Sequence, residues 1–310
     1  MENIVDTFTK GFKNLYKNKI LLLPFLIFII LYAVYMVVLT IIPLIETEIN
    51  QLALDIGVGL GSLIFVIFSL YVSAGMIGMS KEAVSTGKTK FKDLFTYGNK
   101  YTIRFIFATL ILSILQLATI VFWLPVIFLF MNSNYTIDLF LDLLANNFDA
   151  LIPFFKTLLI PALFCSLLTL IYSIAIWVLF YFVTYAIVVD DLPVIASFKK
   201  SYSMARQHIW KVILFIVSIY VITIGVIIVA YFIFCFIILF TTLFLVILID
   251  ISPTLAIVGL VILLIIMVLL LIFLLLAIAF ISVAAIVWET RFYMSVTEKK
   301  LYVEEKNADF

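Results

Sequence analysis

VILFIVSIYVITIGVIIVAYFIFCFIILFTTLFLVILI, Val212 to Ile249, holds no charged residue in 38 positions, and beyond Asp250-Ile251-Ser252-Pro253 a second uncharged run extends from Leu255 to Trp288. A stretch of ~20 apolar residues suffices to cross the ~30 Å hydrocarbon core of a bilayer. As unbroken helices these two would reach ~50–57 Å at 1.5 Å per residue, so they tilt and project beyond the hydrocarbon or are interrupted midway. Cutting 212–288 into four shorter spans is the alternative, but no turn residues mark the extra breaks.

Four more apolar segments lie upstream, Ile20–Ile42, Gly57–Met79, Thr102–Met131 and Phe154–Val189, the last with Pro161 placed to kink it near one end. The 310 residues are 66% hydrophobic and 12% charged, against about 45–50% apolar and about 25% charged in soluble domains. A soluble fold has too little interior for that much apolar surface. The reading is an all-α polytopic membrane bundle of about six transmembrane helices.

Charge orients the bundle. With residue 1 inside and the spans alternating, the segments 1–19, 80–101, 190–211 and 289–310, with Arg104 just within the third span, hold 18 of the 19 lysines and arginines. The opposite side holds Glu46, Glu48, Asp55, Asp138, Asp142, Asp149 and Asp250, with Lys156 as its one base. Lysine and arginine beside short loops resist translocation, so both termini are expected in the cytoplasm and the protein in the cell membrane. The basic residues before Ile20 resemble a signal peptide, but the apolar run that follows is too long and lacks a small-x-small cleavage site, so it reads as a retained first span.

The basic elbows repeat. Phe8-Thr9-Lys10-Gly11-Phe12 aligns without gaps on Phe91-Lys92-Asp93-Leu94-Phe95 and on Phe198-Lys199-Lys200-Ser201-Tyr202. Apolar residues fall at helical spacing in each copy: Ile4, Phe8, Phe12 and Leu15; Phe91, Leu94, Gly98 and Tyr101; Ile195, Phe198, Tyr202, Ala205 and Ile209. The pattern predicts an amphipathic helix at the cytoplasmic interface leading into an outward span. The single membrane domain, 1–310, thus divides into three tandem hairpins, 1–79, 80–189 and 190–288, with a cytoplasmic tail at 289–310. Thr136–Leu151 reads as a further amphipathic helix on the outer side. Its Asp138 and Asp142 are spaced i, i+4, as a solvated face or a weak cation site.

Chemistry is sparse. His208 stands alone among Arg206, Gln207 and Lys211, without the acidic or cysteine partner a catalytic constellation needs. Cys165 and Cys235 sit inside apolar runs and read as small core residues. No cofactor or metal motif is present, and Gly57-Val58-Gly59-Leu60-Gly61 lacks the spacing of a nucleotide loop. Ionisable residues within spans mark ion pathways, yet only Arg104 and Lys156 fall inside the drawn segments, each near an end. Gln116, Ser113 and Thr109 on the third span, with Ser69 and Ser73 on the second, either line a path for a small neutral or amphipathic molecule or pack helices together, the commoner use of such residues. The glycines and serines of the second span, Gly75 and Gly78 among them, predict a place at the bundle centre. Asp190 or Asp191 is expected to cap the helix after Pro193.

Gly87-Lys88-Thr89-Lys90-Phe91-Lys92-Asp93-Leu94-Phe95 and Asp191-Leu192-Pro193-Val194-Ile195-Ala196-Ser197-Phe198-Lys199-Lys200-Ser201 resemble two elbows of a group of prokaryotic six-span membrane proteins. That group includes the membrane domain fused to some glycerophosphodiester phosphodiesterases. The resemblance implies a non-catalytic six-span module, since this chain has no soluble phosphodiesterase domain. The expectation is a non-enzymatic scaffold or accessory protein contacting membrane lipids or partner membrane proteins. A facilitator of a small neutral or amphipathic solute is the alternative. The basic loops follow from orientation and predict no nucleic-acid partner.

Overall fold

The computed structural model describes residues 2–45, 51–132, 159–251, 253–299 and 301. The expected helix at Thr136–Leu151, with Asp138 and Asp142, lies outside them, as does Lys156. Among the described residues the chain is all helix and turn, with six helical stretches long and apolar enough to cross a membrane. The helices are α1 (Ile4–Lys17), α2 (Leu22–Ile45), α3 (Gln51–Thr86), α4 (Phe91–Leu117), α5 (Ile120–Asn132), α6 (Ile160–Phe180), α7 (Val183–Val189), α8 (Val194–Gln207), α9 (Ile209–Ile251) and α10 (Pro253–Val296). The fold class is that of an all-α polytopic helix bundle.

The two long runs are continuous. α9 has 43 residues and α10 has 44, so each is about 65 Å long, roughly twice the hydrocarbon thickness. The interruptions fall in the third and fourth spans instead. The third divides at Ala118–Thr119 between α4 and α5, and the fourth at Tyr181–Phe182 between α6 and α7. Pro161 stands in the first turn of α6, a position that costs that helix no hydrogen bond; the start of the drawn span, residues 154–158, lies outside the described residues.

The buried core gathers at the end of the bundle where the lysines and arginines lie, here termed the basic end. It comprises Leu15 and Leu21, Val72–Val84 of α3, Leu94–Ala108 of α4, Val178–Val189 of α6 and α7, Met204–Ile219 of α8 and α9, and Ala279–Met294 of α10, counting the buried positions in each range. At its centre Phe215 stacks on Phe292 at 3.9 Å and 7°, with Phe8 and Phe182 against the same pair. The tightest glycine contacts of α3 fall here, although Gly61 farther out lies close against the Tyr35 ring. A Cβ on Gly75 would meet the Leu94 carbonyl oxygen at 2.6 Å, and one on Gly78 would enter the Tyr97 ring, whereas Gly57 and Gly59 face open space. The expectation that this span lies at the bundle centre thus holds for its inner half alone.

Polar side chains tie the basic elbows into a closed circuit. Asn18, after α1, donates to the Gly87 carbonyl and accepts from the Thr89 N–H, both at 3.1 Å. Gly87 adopts φ 80°, a turn that suits a residue without Cβ, and Asp93 accepts the Lys90 N–H at the start of α4. Lys100 and Arg104 then reach Asp191, at 2.7 and 2.8 Å. Its neighbour Asp190 accepts from Tyr293 at 2.7 Å and pairs with Lys299 at 3.2 Å. Arg291, only 2% exposed, donates two hydrogen bonds to Glu2, and Trp288 donates to the Phe8 carbonyl, returning the circuit to α1. Neither Asp190 nor Asp191 caps α8: the carboxylates are engaged by cations and a phenol, and Pro193 is the capping residue, without a side-chain bond.

The second elbow buries Leu94, Gly98 and Tyr101, the face its apolar spacing suggests, whereas the first and third bury a different one. In α1 the inward residues are Thr7, Gly11, Asn14 and Leu15, because Trp288 packs against the bare backbone of Gly11. In α8 they are Ser197, Ser201, Met204 and Ala205. Three aligned positions share their fate in all copies: Gly11, Leu94 and Ser201 are buried, as are Leu15, Gly98 and Ala205, while Phe12, Phe95 and Tyr202 are exposed; at Thr7, Lys90 and Ser197 the second copy differs. The first and third elbows break before their spans, at Asn18 and His208, and the second runs straight on through α4.

Candidate functional site

Both interrupted spans border one cavity of about 340 Å³, lined by Leu112 and Gln116 of α4, Ile176, Trp177 and Phe180 of α6, Tyr181, Thr184 and Tyr185 at the second break, and Glu289 of α10. Each break frees a backbone carbonyl, and each carbonyl finds a hydroxyl on a neighbouring helix. The Tyr172 hydroxyl donates to the Leu115 carbonyl at 3.0 Å, and the Ser201 hydroxyl to the Leu179 carbonyl at 2.9 Å. Irregular backbone at membrane depth is tolerated where protein supplies such partners or where it lines a cavity. Here both conditions hold.

Glu289 is the residue the sequence reading missed. The apolar run ends at Trp288, and the next residue was assigned to a cytoplasmic tail. The structure continues α10 through Val296, so Glu289 projects from the helix toward the Tyr181–Phe182 break. Each of its two carboxyl oxygens accepts a hydrogen bond from a different phenol, Oε1 from Tyr181 and Oε2 from Tyr185. Tyr181 and Tyr185 stand i, i+4 across the break, so the turn at Phe182 sets their hydroxyls on the two oxygens. The only signal in the sequence was that tyrosine pair, which is inconspicuous among fifteen tyrosines.

The remaining walls are aromatic and apolar. Trp177 stands edge-on to Tyr181 at 5.1 Å and to Tyr220 of α9 at 5.3 Å. It is 38% exposed, and Gln116 is exposed too, so the cavity opens sideways between α4 and α6. The Gln116 amide oxygen accepts from Ser173 at 3.3 Å at the opposite end from Glu289. From Ile176 to Tyr185 the lining follows about 13 Å of helix, with a carboxyl at one end and an amide at the other.

Of the five residues singled out from the sequence, Gln116 alone reaches this cavity. Ser113 and Thr109 are exposed on α4, and Ser73 is exposed on α3. Ser69 is half-buried and donates to the Val66 carbonyl of its own helix at 2.7 Å. The five do not share one space. His208 occupies the break between α8 and α9, its N–H donating to the Met204 carbonyl. Cys165 is buried in α6, Cys235 is half-buried in α9, and both are free thiols. Among the described residues no three histidine, cysteine or acidic side chains converge to hold a metal.

Residues 3–233, well over half of the chain, match one family model. The chain belongs to that family, the domain of unknown function DUF7847. The DUF7847 match takes in α1 through α8 and the first part of α9, and therefore Gln116, Tyr181 and Tyr185; Glu289 lies beyond it. Neither the curated proteins nor the solved structures contain a match. Nothing in these comparisons links DUF7847 to the membrane domain of glycerophosphodiester phosphodiesterases.

Proposed function

We propose that this DUF7847 protein is a non-enzymatic module of the cell membrane, a scaffold or accessory protein whose apolar flanks contact lipids and partner membrane proteins. The observation that carries the reading is the uneven distribution of packing. The core and its polar circuit occupy the basic end, while beyond Ile219 in α9 and before Ala279 in α10 large apolar side chains such as Phe232, Phe236, Phe244, Leu264 and Phe273 are exposed. Surfaces of that size need lipid or another apolar partner to cover them.

In this reading the termini and the basic end are cytoplasmic, since that orientation keeps the lysines and arginines from crossing. The elbows are interfacial helices of three tandem repeats. The shared burial of aligned positions supports the repeat, and the exposed Phe12, Phe95 and Tyr202 beside Lys13, Lys92 and Lys199 supply the mix of apolar and basic groups that an anionic lipid surface attracts. Kinship with the phosphodiesterase membrane domain rests on the two elbow motifs and brings no activity with it.

Photocrosslinking in native membranes tests the assignment. A photoreactive amino acid at Phe232, Phe244 or Leu264 is expected to yield lipid adducts or discrete adducts with membrane proteins, and one at Val287 to yield adducts within the chain only. Equal labelling at all four positions defeats the reading. Orientation is tested separately with an impermeant thiol reagent on intact cells: Asp142→Cys is expected to react and Lys199→Cys to be protected, and the reverse pattern inverts the topology.

A further inference from the structure

Among the described residues the Glu289 carboxyl is the one ionisable acid in a wall of aromatic and aliphatic side chains, with Thr184 and Gln116 as the other polar groups, at the inner end of a cavity open to the side of the bundle. Its two hydrogen-bond partners, the Tyr181 and Tyr185 hydroxyls, are neutral donors. Two phenolic hydrogen bonds orient the carboxyl, but they bring no opposite charge to it and leave each oxygen a free lone pair. A charge withdrawn from water is costly unless an opposite charge joins it. The walls suit such a partner, because Trp177 and Tyr181 line the cavity edge to face, with Tyr220 packed behind Trp177, and aromatic ring faces attract cations that are weakly hydrated. Beyond the rings, Ile176, Phe180 and Leu112 give an apolar continuation, and Gln116 offers an amide at the mouth.

We propose that this cavity binds a lipophilic organic cation, its charge against the Glu289 carboxyl and its apolar body along Trp177, Ile176 and Leu112. The breaks at Ala118–Thr119 and Tyr181–Phe182 serve the site directly. The second turns Tyr181 and Tyr185 onto the carboxyl, and the first follows the turn that carries Gln116. The lateral opening gives entry from the lipid, where such a cation concentrates. Proteins that bind compounds of this class use a few polar groups to fix orientation and apolar area for affinity, and here the two are arranged end to end. The inference goes beyond the scaffold assignment and is independent of it: the crosslinks from α9 and α10 are expected whether or not the cavity is filled.

The test is equilibrium binding of radiolabelled tetraphenylphosphonium to the full chain in phosphatidylcholine nanodiscs, with tetraphenylborate, offered separately, as the anion of the same shape. Saturable binding of the cation and none of the anion is expected. Glu289→Gln, which keeps the shape and an acceptor for one of the two phenols but removes the charge, is expected to weaken binding at least tenfold, and Trp177→Ala several-fold. Leu112→Trp, which fills the cavity from the α4 side with Glu289 intact, is expected to abolish binding while the protein elutes as the wild type does, and it serves if Glu289→Gln fails to fold. Saturable binding of the anion, undiminished affinity in Glu289→Gln or Leu112→Trp, or no saturable binding of the cation to the wild type overturns the proposal.

Discussion

α10 is two different helices in one. From Ala279 to Ser295 it carries a dense set of buried side chains, among them Trp288, Phe292 and Tyr293, which meet α1, α9 and α7 in turn, and Arg291, which pairs with Glu2 beside α1. From Ile257 to Leu276 no large side chain is buried and most are exposed, and the principal neighbour is α9. The sequence is apolar throughout both halves, so hydrophobicity does not distinguish them. What distinguishes them is company: only the basic end has α1, α7, α8 and the inner turns of α3 and α4 to pack against. Apolar side chains gain nothing by leaving lipid for one another unless they fit closely. Close fit is therefore where stability resides.

The largest expected contrast follows from that. Trp288 is fully buried, donates to the Phe8 carbonyl, and meets Phe8 and Phe12 edge-on at 4.8 and 4.7 Å. Trp288→Ala is expected to cost ~3–5 kcal/mol, the usual range for removing a large aromatic from a core. Leu264→Ala, on the exposed half of the same helix, is expected to stay within about 0.5 kcal/mol of the wild type. Thermal unfolding of the purified protein in one detergent compares the two, and equal losses would erase the distinction between the halves.

Glycine sharpens the same contrast with a change of sign. At Gly75 a methyl group would press on the Leu94 carbonyl oxygen, a backbone atom that cannot swing aside. Gly75→Ala is expected to destabilise by ~1–3 kcal/mol through overpacking. At Gly59 the space is open, and alanine is the better helix former by ~1 kcal/mol, so Gly59→Ala is expected to raise the unfolding midpoint. If both lower it, the far half of α3 is packed as closely as the inner half.

These contrasts also mark what was legible beforehand. Span number followed from apolar length, and the basic elbows from the clustering of lysine and arginine, because both depend on composition along the chain. The close α3–α4 approach was foreshadowed by Gly75 and Gly78. The helix breaks were not, since neither Ala118–Thr119 nor Tyr181–Phe182 contains glycine or proline. They persist because Tyr172 and Ser201, distant in sequence, take up the carbonyls set free. Glu289 was overlooked for a related reason: whether a residue just past an apolar run faces inward depends on the rotation of α10, which Trp288 and Gly11 settle together. The inward faces of α1 and α8 were misread likewise, because small residues that admit a neighbour carry no hydrophobic signal.

The circuit at the basic end adds a dependence on pH. Burial alone would push the Glu2 carboxyl up, but hydrogen bonds from Arg291 and Lys10 outweigh it and hold the group below its ordinary range. A carboxyl lowered by folding contributes stability above its unfolded value, about 4.3, and that contribution disappears as the pH falls through the lower, folded value. The wild-type unfolding midpoint is thus expected to fall more steeply than that of Glu2→Gln between about pH 5 and pH 3. The variant should be the less stable of the two at pH 7, and the curves should converge in acid. Parallel curves would mean that the Glu2–Arg291 contact contributes no charge-dependent stability.

Asp191 offers the finest comparison, because charge and backbone are separable there. Hydrogen bonds from Lys100, with those from Arg104 and Tyr101, hold its carboxyl below the usual range, while partial burial works weakly against them. All three side chains of the Lys100–Asp191–Arg104 cluster are substantially exposed, and exposed pairs of this kind contribute little to stability and are screened by salt. The backbone at Asp191 has φ 54°, a left-handed conformation that asparagine accepts about as readily as aspartate and alanine does not. Asp191→Asn therefore removes the charge alone and is expected to lower the unfolding midpoint slightly in dilute buffer. In ~1 M salt, where the screening length is ~3 Å, the difference should vanish. Asp191→Ala adds the strain of a side chain ill-suited to that φ, so its deficit should persist in salt. If the asparagine variant keeps its deficit at high salt as well, the link from the second elbow to the third rests on hydrogen-bond geometry, and the positive charges gathered at that end are there for orientation in the membrane and not for cohesion.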